Sequence, residues 1–110
     1  MQIIIHTEDA KHLSSIILEK IKNELETWSV KKDKKGYNIY FHSTKSKQWE
    51  NELYMKPYID SEKNDKLFFR VVEIDGEYLE FENEFGYLMG RFLEILIVHF
   101  SEEYNKIEIK

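Results

Sequence analysis

The sequence predicts an α+β domain in which two helices pack on one mainly antiparallel sheet. Two stretches repeat apolar residues at helical spacing, and β-rich runs lie at both ends of the chain and between those stretches. The dipeptide Asp75-Gly76 separates two such runs and is suited to a two-residue hairpin turn. The predicted order of elements is β-α-β-β-β-β-α-β.

The first predicted elements are a strand over Gln2–His6 and an amphipathic helix over about Glu8–Trp28. Three consecutive isoleucines in the strand suggest that both of its faces are covered. Thr7 offers an N-cap hydroxyl, and the acids that follow it suit the first turn of a helix. The apolar stripe of the helix recurs every three or four residues as far as Trp28.

The middle of the chain predicts a charged connection and two further strands. Lys31 to Gly36 reads as the connection, and aromatic and β-branched residues predict a strand over Tyr37–His42. Trp49–Tyr58 favours a strand less clearly. Because Pro57 cannot donate a ladder hydrogen bond, this strand is expected to be an edge strand or to stop near the proline.

The strongest local pattern is the hairpin predicted over Leu67–Glu82. The Asp75-Gly76 turn sets its register and divides its side chains between two faces. One face is expected to belong to the core: Val72, Ile74, Leu79 and Phe81. The outer face is expected to mix aliphatic and aromatic side chains with acids: Phe69, Val71, Glu73, Tyr78, Glu80 and Glu82.

The last predicted elements are a helix over Glu84–Phe100, with Asn83 as its N-cap, and a strand over Tyr104–Ile109. The helix is apolar almost all round beyond Phe92, which is typical of a helix covered on more than one side. Its two glycines, Gly86 and Gly90, would let another backbone approach closely.

Composition limits the classes of protein that the chain can be. A length of 110 residues fits a single domain over 1–110, and 42% hydrophobic residues can fill its core. There is no cysteine, which excludes disulfides and thiolate chemistry. Without a signal peptide or a transmembrane stretch, we expect a cytoplasmic protein with no membrane partner. The oligomeric state is left open, with a monomer as the default.

Charge is unevenly distributed along the chain, although the total is only −5. The acidic segment, residues 71–90, has no lysine or arginine and six acids: Glu73, Asp75, Glu77, Glu80, Glu82 and Glu84. The basic segment, residues 31–47, has six lysines against Asp33, a net charge of 6 − 1 = +5. Such asymmetry bears on partners and association rates rather than on fold.

The sequence contains no motif that points to catalysis, a cofactor or a metal. The four histidines, His6, His12, His42 and His99, have no metal-ligand spacing, and His99 is expected to be a hydrogen-bonded core or boundary residue. Phosphate loops and nucleophile elbows are missing. We therefore predict no catalytic, cofactor-binding or metal-binding residues, and not an enzyme. A small histidine-dependent hydrolase, using His6 or His42, stays an alternative.

The basic segment gives a second alternative, a nucleic-acid-binding module over Lys31–Trp49. Its lysines alternate with Tyr37, Tyr40 and Phe41, and cations with aromatic rings suit phosphates and stacked bases. The acidic total charge and the lack of arginine in this segment argue against a dedicated nucleic-acid binder. The competing interpretation is a solvated loop followed by a half-buried strand.

The acidic hairpin is the predicted partner-binding surface, because aromatic side chains among carboxylates suit a basic protein. The residues assigned to it are Phe69, Glu73, Asp75, Glu77, Tyr78, Glu80 and Glu82. Ordinary solubility explains the same acids equally well.

A family resemblance points the same way. The run Gly86–Phe100 (GYLMGRFLEILIVHF), followed by Tyr104–Ile109, resembles the C-terminal part of some small immunity proteins of bacterial polymorphic-toxin and contact-dependent growth inhibition systems. The general composition, a short, acidic, cysteine-free α+β chain, is similar as well. The resemblance implies a cytoplasmic protein that binds and neutralises a cognate toxin domain, often a basic nuclease. It assigns no individual contact residue.

Overall fold

Six strands form one sheet, and two helices pack on one side of it. The computed structural model describes residues 2–43, 53–60, 62–75 and 85–110. The strands are β1 (Gln2–His6), β2 (Trp28–Lys32), β3 (Asn38–His42), β4 (Tyr54–Ile59), β5 (Lys66–Val72) and β6 (Lys106–Ile109). The helices are α1 (Ala10–Asn23) and α2 (Phe85–Phe100).

The strand order across the sheet is β2-β3-β4-β5-β1-β6, and every neighbouring pair is antiparallel. The predicted α+β class and the order β-α-β-β-β-β-α-β are therefore confirmed. The order contains one strand that the sequence does not predict. This strand is β2, whereas the sequence predicts a strand in the second half of the hairpin. That half, residues 77–82, lies outside the described residues, as does the predicted N-cap Asn83.

Side-chain alternation gives the sheet two faces. We call the face opposite the two helices the uncovered face, although Ile39, Tyr54 and Val72 form a small buried cluster on it. The covered face packs against both helices, and its buried centre includes Ile3, Tyr40, Met55 and Phe69. Phe92 of α2 enters this centre, with its ring 4.5 Å from that of Phe69 and 5.1 Å from that of Trp28. Burial of these large aromatic and aliphatic side chains is the main stabilising contribution to the fold.

Helix α1 is shorter than predicted, and the prediction that it continues to Trp28 is wrong. Asp9, not Thr7, is the N-cap: its Oδ1 accepts a hydrogen bond of 3.0 Å from the backbone N–H of His12. The helix ends at Asn23, and Trp28 begins β2. The side chains of Trp28 and Val30 alternate onto the covered face, so a period of two replaces the helical period.

Pro57 does not make β4 an edge strand or end it, contrary to expectation. The strand runs through the proline to Ile59 and lies between β3 and β5 in the sheet. Strand β4 pairs with β3 through Met55, which lies opposite Tyr40, whereas Pro57 pairs with Phe69 of β5 on the other side. The missing N–H is therefore tolerated because the stretch around Pro57 is a local edge on the β3 side.

Helix α2 is covered on one side only, so its interpretation as a helix buried all round is wrong. Leu88, Phe92, Leu96 and Phe100 are buried, but Ile97 and Val98 are 55% and 65% exposed. His99 is exposed as well, contrary to the expected core position. A Cβ atom added to Gly86 or Gly90 would meet no atom within 4 Å, so neither glycine serves a close backbone approach. No helix in the described part of the chain is long and apolar enough to cross a membrane.

Candidate functional site

The uncovered face of the sheet is the most distinctive surface that the structure describes. Strand register places cations and aromatic side chains next to each other on this face. Its charged residues within strands are Lys31, Lys56, Lys66, Arg70, Lys106 and Glu108, a net charge of 5 − 1 = +4. Its aromatic residues are Phe41, Tyr54, Tyr58 and Phe68.

Cation–aromatic contacts organise this face. The Nζ of Lys31 lies 5.8 Å from the ring centre of Phe41 and 5.3 Å from that of Tyr54. The guanidinium of Arg70 lies 5.0 Å from the ring of Tyr58. Tyr54 is 1% exposed and, like a core residue, cannot stack on a ligand. The contacts of Lys31 with Phe41 and of Arg70 with Tyr58 place cations beside less buried rings, which is the arrangement that proteins use to bind the phosphates and bases of single-stranded nucleic acids.

A buried ion pair anchors one end of the uncovered face. The Nζ of Lys56 donates to Asp33 Oδ2 at 2.8 Å, and the Asp33 side chain is fully buried. Asp33 Oδ1 also accepts from the backbone N–H groups of Lys35 and Tyr37, each at 2.9 Å. Burial alone would raise the pKa of Asp33, but the Lys56 ammonium and the two backbone donors outweigh it and lower that pKa.

An open pocket of about 420 Å³ lies beside this ion pair, between two tyrosines. Tyr37 and Tyr58 flank it, with the Lys56 Nζ 4.7 Å from the first ring and 5.6 Å from the second. Pro57 and Ile59 complete its lining. The pocket therefore presents two aromatic surfaces and one cation, and the nearly buried Lys56 is held in place by Asp33.

Part of the basic segment takes part in this site, and part does not. Tyr37, Phe41 and Lys31 belong to it, as the nucleic-acid interpretation expects. Tyr40 points to the covered face and is 1% exposed, so it cannot stack on a ligand. Lys45, Lys47 and Trp49 lie outside the described residues. Arg70 and Tyr58, which carry two of the contacts, fall outside the segment that the sequence singled out.

The acidic hairpin is described only at its beginning. Glu73 is exposed and Asp75 is half-buried, whereas Glu77, Tyr78, Glu80 and Glu82 lie outside the described residues. Phe69 and Val71 were expected on the outer face, and this assignment is wrong, because both are fully buried in the core beneath the helices. Val72 and Ile74 instead pack with Ile39 and Tyr54 on the opposite side of the sheet. Phe69 is therefore not an accessible contact residue.

The described start of the acidic segment contacts the turn between β2 and β3, which belongs to the basic segment. The backbone N–H of Lys34 donates to the carbonyl oxygen of Ile74 at 3.2 Å. This hydrogen bond joins Ile74 to the basic turn.

The histidines occupy four different environments. His6 forms a hydrogen bond with Glu108 on the uncovered face, at 2.5 Å between Nε2 and Oε1, beside Lys106. The His6 hydrogen bond is the main cause that lowers the pKa of Glu108. His42 is buried between Trp28 and Tyr87, whereas His12 and His99 are exposed.

This distribution does not gather the histidines into one site. In the ranges 2–43, 53–60, 62–75 and 85–110, no three His, Asp or Glu side chains converge as metal ligands do. The predictions of no cofactor and no catalysis stay predictions. No family model, curated protein or solved structure matched the chain when it was compared with them.

Proposed function

We propose that this chain is an immunity-type protein that binds and neutralises a cognate bacterial toxin domain, a basic nuclease, through an acidic surface. The observation that carries the proposal is the acidic segment, which has six acids, no cation and an exposed Glu73 at the end of β5. The likeness of residues 86–109 to small immunity proteins supports the same conclusion.

The helical side of the molecule is acidic as well. The helices with their flanking turns, residues 7–27 and 85–105, carry eight acids against four cations, a net charge of 4 − 8 = −4. The acids are Glu8, Asp9, Glu19, Glu24, Glu26, Glu94, Glu102 and Glu103. A basic partner is therefore attracted to this side and repelled by the uncovered face.

Inhibition of this kind needs no reacting group on the inhibitor. A nuclease must attract phosphate, so its active-site cleft is electropositive and accepts a surface of carboxylates. Complementary charge raises the association rate, and salt screens it. We therefore expect a 1:1 complex whose association rate falls steeply as ionic strength increases.

The test begins by capturing the partner of the tagged protein from its native host and identifying it. The captured domain is then expressed alone and together with this chain in a heterologous host. We expect the domain to stop growth by degrading nucleic acid, and this chain to restore growth. A captured protein without toxicity, or toxicity that this chain does not relieve, would contradict the proposal.

Charge reversal tests whether the acids make the contact. Glu73→Lys/Glu80→Lys/Glu82→Lys is expected to lower the association rate by at least tenfold without unfolding the chain. Glu62→Lys, an exposed acid in the loop between β4 and β5, is the matched control. Equal affinities for wild type, triple variant and control would remove the hairpin from the interface.

Nucleic-acid binding is the second candidate, favoured by the Lys31 contacts with Phe41 and Tyr54 and the Arg70 contact with Tyr58. It predicts salt-sensitive binding of single-stranded oligonucleotides to the uncovered face. Tyr58→Leu and Lys31→Gln should each weaken that binding several-fold, whereas Lys22→Gln on the opposite side should not. No binding to any oligonucleotide at low salt would exclude this candidate.

A further inference from the structure

A small pocket on the helical side lies between the start of β2, the end of β3 and the first half of α2. Its volume is about 270 Å³. The residues of its lining that matter here are Thr27, Trp28, His42, Tyr87, Arg91 and Glu94. Neither toxin neutralisation nor nucleic-acid binding uses this pocket.

His42 is the unusual member of this group. The residue is 6% exposed, and its Nδ1 is buried without a hydrogen-bond partner among the described residues. Buried polar atoms without partners are rare in folded proteins. The ring is fixed by edge-on contacts with Trp28 at 5.3 Å and Tyr87 at 5.8 Å. The histidine ring is thus packed between two aromatic rings, while its Nδ1 has no hydrogen-bond partner among the described residues.

The proton of His42 is best placed on its other ring nitrogen. A proton on Nδ1 would bury an unpaired donor, which is rarer than a buried unpaired acceptor. Burial, and secondarily the positive charge of Arg91, lower the pKa of His42, so the imidazole is neutral at pH 7. The neutral ring therefore carries its proton on Nε2, and His42 belongs to the lining of the pocket.

Arg91 supplies a cation at the same pocket. Its guanidinium lies 5.3 Å from the ring centre of Tyr87, and its Nη1 is 3.3 Å from Glu94 Oε2. The pKa of Arg91 is raised, first by its hydrogen bond with Tyr87 and then by the charge of Glu94. The pair with Glu94 is exposed, and exposed ion pairs contribute little stability and exchange readily.

We propose that this pocket binds a carboxylate group, with Arg91 and His42 as donors and Glu94 as the internal competitor that the ligand displaces. A guanidinium matches a carboxylate with two parallel hydrogen bonds. One cation balances one negative charge, which favours a carboxylate over a phosphate dianion. The proposal does not depend on toxin binding, because the carboxylate can belong to a small free acid or to an Asp or Glu side chain of a protein.

Titration with sodium acetate tests the pocket, using NMR signals of the His42 ring and the Trp28 indole and keeping ionic strength constant with chloride. We expect saturable shifts with a dissociation constant in the millimolar range. Arg91→Gln should weaken binding at least tenfold, whereas Glu94→Gln should strengthen it several-fold. Lys11→Gln, an exposed lysine elsewhere on the helical side, should change nothing. Linear shifts, or equal responses of wild type and Arg91→Gln, would overturn the proposal.

A second arm distinguishes the two sources of the carboxylate. A blocked Ala-Glu-Ala tripeptide is titrated beside the corresponding Ala-Gln-Ala tripeptide. If the glutamate peptide binds saturably and the glutamine peptide does not, the pocket is assigned to a side chain of a partner protein. Binding of acetate without either peptide assigns it to a small free acid. If neither acetate nor the glutamate peptide binds, the pocket is not a carboxylate site.

Discussion

The two faces of the sheet use the same kinds of residue for different purposes. On the covered face, aromatic rings pack on one another beneath the helices, as Phe69, Phe92 and Tyr40 do. On the uncovered face, half-buried rings pack against cations, as Phe41 does with Lys31 and Tyr58 does with Arg70. The first arrangement excludes water and stabilises the fold, whereas the second keeps charge and aromatic surface available for a partner.

The two sides of the sheet also differ in the sign of their net charge. With Asp33, which pairs with Lys56, the uncovered face has a net charge of 5 − 2 = +3, and the helical side with its turns has 4 − 8 = −4. The small total charge of −5 therefore conceals two surfaces of opposite sign. A binding protein built in this way can select partners by the sign of their charge.

Substitutions at Phe69 and Phe68 give the largest expected difference between the two faces. Phe69 is fully buried on the covered face, whereas its neighbour Phe68 is half-buried on the uncovered face. Phe69→Ala leaves a cavity and should lower the free energy of unfolding by about 3–5 kcal/mol. Phe68→Ala should cost about 1 kcal/mol, in proportion to the smaller area removed from water. Equal losses in urea unfolding would contradict the distinction between the faces.

The Asp33–Lys56 pair gives the next largest effect. Asp33→Asn leaves the nearly buried Lys56 ammonium without its counter-charge, and breaking a buried pair in this way costs about 3 kcal/mol or more. The double variant Asp33→Asn/Lys56→Met should recover most of that loss, since it leaves no unpaired charge. Urea unfolding of the wild type, Asp33→Asn, Lys56→Met and the double variant measures the coupling free energy between the two residues. Additive losses would show that the pair is not a unit.

Stability should fall in two stages as the pH decreases, one from a residue on each face. The pKa of His42 on the covered face lies below its ordinary value of 6.5, so its contribution to stability is present above pH 6.5 and is lost as the pH falls below it. The pKa of Asp33 lies below 3.8, so its contribution is lost only below about pH 4. His42→Phe should abolish the first stage and leave the second. A first stage that persists in this variant would belong to another histidine.

Lys31→Gln should have the smallest effect on stability, within about 0.5 kcal/mol, because substitutions outside the core that keep a polar side chain are usually of this size. Its side chain is half-buried and rests on Phe41 and Tyr54, so a loss above about 2 kcal/mol would mean that the cation–aromatic contacts hold the fold together. Chemical unfolding at pH 7 measures the difference.

Local patterns in the sequence predict much of the fold. Three short strands could be identified from their composition. They are β1, which is rich in isoleucine, β3, which is rich in aromatic residues, and β6. The end of α1 was missed because Leu25 and Trp28 continue the apolar stripe, although Trp28-Ser29-Val30 also alternates as a strand does. Exposure of Ile97 and Val98 was missed for a different reason. Periodicity shows which residues are apolar but does not show how many sides of a helix other elements cover.

The candidate site was less predictable than the fold, since its residues come together only through strand register. Lys31, Tyr58 and Arg70 lie on β2, β4 and β5, far apart in the sequence. The face assignment of Phe69 was wrong because the predicted hairpin gave no indication of which face the helices cover. The single clue to the uncovered face was the alternation of Lys56, Tyr58, Phe68 and Arg70 at period two.

The central proposal is that an acidic surface of this chain neutralises a basic toxin domain. The most direct measurement is growth of a host that expresses the identified partner domain together with wild type or with Glu73→Lys/Glu80→Lys/Glu82→Lys, both at equal folded levels. The account predicts full growth with wild type and loss of protection with the triple variant. Growth that stops with both proteins, or a partner domain that is harmless alone, would contradict it.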